Sequence, residues 1–176
     1  GKVSGVVTDK GELDCQIVLV AAGVRSEVSL AVDAGLEVDR TIVVNEYMQT
    51  YDPDIYAGGE CVSVTHRISG EKIFAPMGST SNKHGRIIGT NIAQGNTQTF
   101  PGVLGTSICK RFDWSIGKVG LTEADAIRLG YDVATCVVPG PDITHFMPGK
   151  KLIMVKTVAD KKTARVLGVQ IVGPGK

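Results

Sequence analysis

No Gly-x-Gly-x-x-Gly occurs in the chain, so it lacks the glycine-rich turn that seats a dinucleotide pyrophosphate at a helix start. An excess of one charge is missing too. The formal net charge is +1 and the charges are dispersed, which removes the electrostatic case for nucleic acid or an anionic membrane as a partner. No apolar run approaches the length that spans a bilayer, and the N-terminus has no charged segment leading into an apolar one. A cytoplasmic protein is expected. The four cysteines, Cys15, Cys61, Cys109 and Cys136, form no CxxC pair and no zinc spacing. Each sits in or beside an apolar stretch, where a reduced thiol serves as a small hydrophobe. The three histidines, His66, His84 and His145, stand apart from one another and from acids at ligand spacing, so no metal site is expected. Internal repeats and low-complexity tracts are absent as well.

What is present begins with Thr50-Tyr-Asp-Pro-Asp-Ile-Tyr-Ala-Gly-Gly-Glu60. Residues 55–57 read as a short apolar strand, and Gly58 and Gly59 let the backbone turn or approach a ligand before Glu60 presents a carboxylate. A plain strand and turn would look the same. The next element, Pro76-Met-Gly-Ser-Thr-Ser-Asn-Lys-His-Gly-Arg86, runs from a hydroxyl-rich turn into the apolar positions Ile87, Ile88 and Ile92. It predicts a helix over residues 82–92 with Ser79, Thr80 or Ser81 as N-cap, whose first-turn N–H groups offer partial positive charge to an electron-rich ligand.

At 176 residues with 21% charged side chains, the chain can bury one or two small cores. Residues 3–8 and 13–21 read as a β-hairpin joined by Asp9-Lys10-Gly11, residues 26–34 as a helix closed by Gly35, and residues 41–45 as a short strand. The polar stretch 94–102 reads as a boundary. Beyond it, residues 106–114, 116–120, 131–138, 152–159 and 165–172 read as strands. A short helix runs between Thr122, its N-cap with Asp125 three residues on, and Gly130. That is an α+β second part dominated by antiparallel pairing.

The segments Ile55-Tyr56-Ala57-Gly58-Gly59-Glu60 and Ser81-Asn82-Lys83-His84-Gly85-Arg86 resemble the FAD-binding half-motifs of the pyridine nucleotide-disulfide oxidoreductases, in the branch of NADH oxidases, NADH peroxidases and coenzyme A-disulfide reductases. The family pattern has Asp where Glu60 stands and Gln where His84 stands. Asp14-Cys-Gln-Ile-Val-Leu-Val-Ala-Ala-Gly-Val-Arg25 looks like the strand that leaves the NAD-binding domain and re-enters the FAD domain. Gly105-Thr-Ser-Ile-Cys-Lys-Arg-Phe-Asp113, Val119-Gly-Leu-Thr-Glu123 and Arg165-Val-Leu-Gly-Val-Gln-Ile-Val-Gly173 look like parts of the family's C-terminal dimerisation domain.

The resemblance implies an α/β remnant of an FAD/NAD(P)-binding domain followed by an α+β dimerisation domain with an antiparallel sheet. Residues 1–23 would end the NAD(P)-binding domain, 24–98 would close the FAD-binding domain, and 99–176 would be a partial dimerisation domain. The chain then reads as a piece of a larger FAD-dependent enzyme, inactive alone, that takes electrons from NAD(P)H and passes them to a disulfide, peroxide or dioxygen. Gly59, Glu60, Met77, Gly78, Ser79 and Thr80 are the implied flavin contacts, with Glu60 accepting a hydrogen bond from the ribityl chain. No residue of the chain is implied as catalytic, since the family's redox cysteine would lie upstream. A homodimer is implied through residues from about Phe100 onward.

Several residues keep two readings. Lys83 and Arg86 are exposed helix residues or help neutralise the flavin, and His84 is solvated, capping or in contact with the cofactor. Trp114 fits an interface or a core. Phe146 and Met147 stand where related enzymes carry tyrosines that reach the partner subunit's active site, which weakens coenzyme A-disulfide or peroxide chemistry. The rival readings are a non-catalytic dimerisation module and a ferredoxin- or rubredoxin-reductase-like flavoprotein, the latter opposed by residues 102–123.

Overall fold

The computed structural model describes residues 1–174. The chain opens with a hairpin of β1 (Gly5–Thr8) and β2 (Gly11–Asp14), closed by Asp9 and Lys10 with Thr8 opposite Gly11. β2 stops at Asp14, well short of the expected strand end, and residues 15–28 have no regular secondary structure. Ile17, Leu19 and Val20 are more than 80% exposed. Residues 16–22 form the near-continuous apolar run typical of a strand buried on both faces. Among the described residues no strand pairs with it, so its backbone has no ladder to join there.

The first helix, α1 (Ser29–Asp33), starts later than expected, with Ser26 and Glu27 ahead of its N-cap Val28 both engaged. Glu27 accepts hydrogen bonds from the Ser29 N–H and hydroxyl, and the Ser26 hydroxyl is drawn away to the Glu60 carbonyl. Gly35 follows the helix at φ +75, as a C-terminal glycine should. Residues 41–45 and 55–57 form single bridges instead of strands: Ile42 pairs with Val38 and Val62, and Tyr56 with Gln49. A short hairpin that the sequence did not announce, β3 (Val64–Thr65) with β4 (Lys72–Ile73), follows.

The helix α2 (Gly78–Gln94) begins four residues ahead of its expected start, with Met77 as N-cap and no side-chain cap. Ser79, Thr80 and Ser81 therefore lie inside the first turn. Its buried face carries Thr80, His84 and Asn91, with Ile87 and Ile88 half-buried between them, a 3.6-residue stripe. Val44, Met48 and Val62 form the small core beneath it, joined by Ile42, Ala57, Cys61, Ile87, Ile88 and Phe100.

The expected boundary segment is bound down. Buried Asn91 donates to the Tyr47 and Gln98 carbonyls at 2.9 and 2.8 Å and accepts from the Thr97 and Gln98 amides at 3.1 and 2.8 Å. Phe100 N–H donates to Glu46, and Val103 N–H to Thr65.

The second part is a five-stranded antiparallel sheet with a helix on it. Its strands are β5 (Ser107–Arg111), β6 (Trp114–Gly120), β7 (Val133–Pro141), β8 (Leu152–Asp160) and β9 (Val166–Pro174), in the order β5-β6-β9-β8-β7. Phe112, at φ 52, turns the chain between β5 and β6, which puts Trp114 at the start of the second strand and 53% exposed, not in a core. The helix α3 (Glu123–Arg128) has a full capping box: Thr122 Oγ1 accepts from the Asp125 N–H, and the Asp125 carboxylate accepts from Thr122. Leu121, Ala126, Val158 and Leu167 make the second core.

Cys109 and Cys136 are exposed on this sheet, a departure from the small-hydrophobe expectation; all four cysteines are free thiols. The two parts meet where Arg128 sets its guanidinium on the Glu71 carboxylate at 3.1 and 3.0 Å and Tyr131 donates to the Ile68 carbonyl.

Candidate functional site

The six expected flavin contacts lie on two elements that the fold brings side by side. A Cβ built on Gly59 would stand 3.7 Å from the Ser81 hydroxyl, so the glycine turn runs against the first turn of α2. Gly59 has φ +91, which needs a glycine, and open space beyond Ser81. Gly58 has no such space. A Cβ there would meet Ile88 Cδ1 at 2.7 Å and His84 Cβ at 2.9 Å, so helix and turn pack backbone to side chain.

Glu60 follows the turn as an exposed residue, and among the described residues its carboxylate has no hydrogen-bond partner. Its carbonyl is tied to Ser26 at 2.9 Å, and the Cys61 thiol donates to the Gly58 carbonyl at 3.2 Å.

The start of α2 offers fewer amides than the sequence suggests. Met77 N–H is taken by Ala75 at 2.8 Å, and Thr80 N–H by Met77 at 2.9 Å, with the Thr80 side chain buried. The Gly78 and Ser79 N–H groups have no acceptor among the described residues. Two unsatisfied amides at the positive end of a 17-residue helix, uncapped by any side chain and next to an open glycine, suit an electron-rich, partly anionic ligand edge. Lys83 and Arg86 are exposed on the same helix.

Two residues of this arrangement have roles that the half-motifs do not specify. Ser26 belongs to a stretch read as helix. His84 is fully buried, not solvated: its Nδ1 accepts the Gly59 N–H at 3.0 Å, and its ring meets Phe100 edge to face at 4.4 Å. Burial pushes its pKa below the ordinary imidazole value. The sequence did contain one signal, since positions 80, 84, 88 and 91 fall on a single helical face.

The family model for pyridine nucleotide-disulphide oxidoreductases matches residues 1–86, and that for the family's dimerisation domain matches residues 106–176. The chain belongs to the pyridine nucleotide-disulphide oxidoreductases. Within this family it is 42% identical over 174 residues to an NAD(P)H sulfur oxidoreductase (CoA-dependent) of Pyrococcus furiosus, covering 98% of this chain and 39% of that relative. It is 36% identical to an NADH oxidase of Methanocaldococcus jannaschii, covering 98% of this chain and 38% of the relative. The solved structure of an FAD-dependent pyridine nucleotide-disulphide oxidoreductase from Desulfovibrio vulgaris matches at a TM-score of 0.79 and 43% identity, covering 97% of this chain and 41% of the other. The chain thus spans about two fifths of the length of the curated relatives it matches. The chain divides between the oxidoreductase model and the dimerisation-domain model, and the site described above lies in the first.

Proposed function

We propose that this chain supplies the flavin-facing turn and the dimerisation sheet of an FAD-dependent NAD(P)H oxidoreductase whose acceptor is a disulfide or persulfide, with dioxygen as the alternative acceptor. One observation carries the flavin part: the Gly78 and Ser79 amides of α2 lie beside the open Gly59 turn that ends in the Glu60 carboxylate, and none of these three groups has a partner among the described residues. The sulfur acceptor follows the higher identity to the sulfur oxidoreductase than to the NADH oxidase.

Bound FAD supplies the relay of electrons from NAD(P)H to the acceptor. The chain's own residues bind and bias it. Glu60 would accept a hydrogen bond from the ribityl chain, Gly59 would leave room for close approach, and the Gly78 and Ser79 amides, at the positive end of α2, would favour negative charge on the part of the flavin that they face. The Met77 and Thr80 amides are engaged within the chain, so neither is offered to the flavin.

In this reading residues 1–23 end a nucleotide-binding domain, 24–98 close the flavin domain, and 99–176 form the dimerisation part, with the subunit contact from about Phe100 onward. The environment is cytoplasmic; no described helix is long and apolar enough to cross a membrane.

The test is the full-length protein that carries this sequence, purified and examined for flavin absorbance, then mixed with NADH or NADPH and a persulfide or dioxygen. Flavin bleaching by the reduced nucleotide and recovery on adding persulfide is the expected result. A colourless protein that still dimerises would leave the second reading, a dimerisation module, supported by the five-stranded sheet alone.

A further inference from the structure

His84 is a fully buried titratable group to which the flavin reading assigns no task. Its Nδ1 accepts the Gly59 N–H at 3.0 Å, so the ring proton sits on Nε2, which is buried and meets no hydrogen-bond partner among the described residues. The carbonyls of the turn are held by the Ser26 hydroxyl and the Cys61 thiol, while the Gly59 amide is held by His84. Gly58 is pressed against His84 and Ile88, and Gly59 takes φ +91 immediately before Glu60.

We infer that His84 is a positioning residue for the flavin site: its neutral imidazole locks the Gly58-Gly59-Glu60 turn in place, and protonation at Nδ1 unlocks it. The inference rests on the flavin reading of Glu60.

The chemistry is that of a donor forced to face a donor. An imidazolium carries N–H on both nitrogens, so on protonation Nδ1 no longer accepts from the half-buried Gly59 amide, which loses the one partner it has among the described residues. The surroundings give the cation no compensation. Glu60 and Cys61 lie on the turn, Lys83 and Arg86 on α2, and Glu46 on the segment that holds Phe100. Burial is the one influence that moves the imidazole from its ordinary value. Protonation therefore requires the ring or the turn to move, and Glu60 moves with the turn.

The experiment follows FAD release by fluorescence from pH 8 to pH 5 in the full-length holoprotein, for wild type, His84→Gln and His84→Leu. Selective ¹⁵N-histidine labelling of the same protein reports the tautomer. Wild type is expected to show the Nε2–H tautomer at neutral pH and to lose FAD affinity at least about tenfold as the imidazole titrates, a change of 1.4 kcal/mol. His84→Gln keeps a side-chain acceptor that does not titrate and should give a flat profile over this range. His84→Leu should bind FAD weakly at every pH. If that variant does not fold, the glutamine variant carries the comparison.

Identical pH profiles for wild type and His84→Gln, or an Nδ1–H tautomer at neutral pH, would overturn the inference. Unchanged FAD affinity in Glu60→Ala alongside the expected tautomer would instead sink the flavin reading of Glu60.

Discussion

Gly58 lies so close to Ile88 that a Cβ on the glycine would stand 2.7 Å from the isoleucine Cδ1 atom, with His84 Cβ only slightly farther off. The contact sets the distance between α2 and the glycine turn. Gly58→Ala should destabilise the fold by about 1–3 kcal/mol, the usual cost of forcing a methyl group into a packed site. Ile88→Val removes the clashing methyl, so the double variant should lose less stability than the two single variants summed. Denaturant unfolding of all four proteins measures this, and strict additivity would show that the turn moves aside freely.

Asn91→Ala should cost more than an ordinary surface change, because four hydrogen bonds to residues 47, 97 and 98 disappear at a buried position. Each backbone group left unsatisfied costs about 1–3 kcal/mol. Hydrogen exchange at the Thr97 and Gln98 amides should accelerate first; unchanged protection there would mean that Phe100 alone anchors the segment.

Stability should fall as the pH drops from neutrality toward 5, with His84 as the cause. Its native pKa lies below the ordinary value of 6.5, so in this window the unfolded chain binds the proton and the folded chain does not. The His84 contribution is fully present above 6.5 and is lost as pH descends toward the lowered native value. Asp125 and Asp160, held below the usual carboxylate range chiefly by the Thr122 and Thr163 hydroxyls, act only at lower pH. Unfolding at pH 7.5 and 5.5 should show a smaller difference for His84→Gln than for wild type.

Glu60→Ala in the full-length holoprotein should weaken FAD retention about tenfold to a hundredfold, the value of one hydrogen bond to a charged acceptor. Glu60→Asp should bind at least as well as wild type. Equilibrium dialysis or flavin fluorescence reads both; equal affinity for wild type and Glu60→Ala would place the carboxylate away from the cofactor.

The 176-residue chain should self-associate on its own. Ile17, Leu19 and Val20 are exposed in one unpaired segment, and Ile108, Phe112 and Phe146 in the sheet part. Light scattering should show mass above the monomer together with binding of a hydrophobic dye, and a clean monomer without dye binding at high concentration would contradict it.

The sequence by itself determined the elements whose signals are local. The capping box at Thr122 and Asp125 and the glycine stops at Gly35 and Gly130 act within a few residues, and the β5-β6, β7-β8 and β8-β9 pairings join strands that follow one another in the chain. The half-motifs around Glu60 and Ser81 were legible for the same reason, each being a contiguous run. Tertiary structure alone decided what depends on partners distant in sequence. Residues 16–22 have the composition of a buried strand but pair with no strand among the described residues, because a strand exists only where another backbone completes its ladder. The hydroxyls of Ser79, Thr80 and Ser81 look like caps, yet the helix starts at Gly78 with Thr80, His84 and Asn91 on its buried face, and two of its amides have no acceptor among the described residues. His84 shows the same limit in one residue: the sequence places a polar ring on a helix, and only the approach of Gly59 from 25 residues away makes it a buried acceptor.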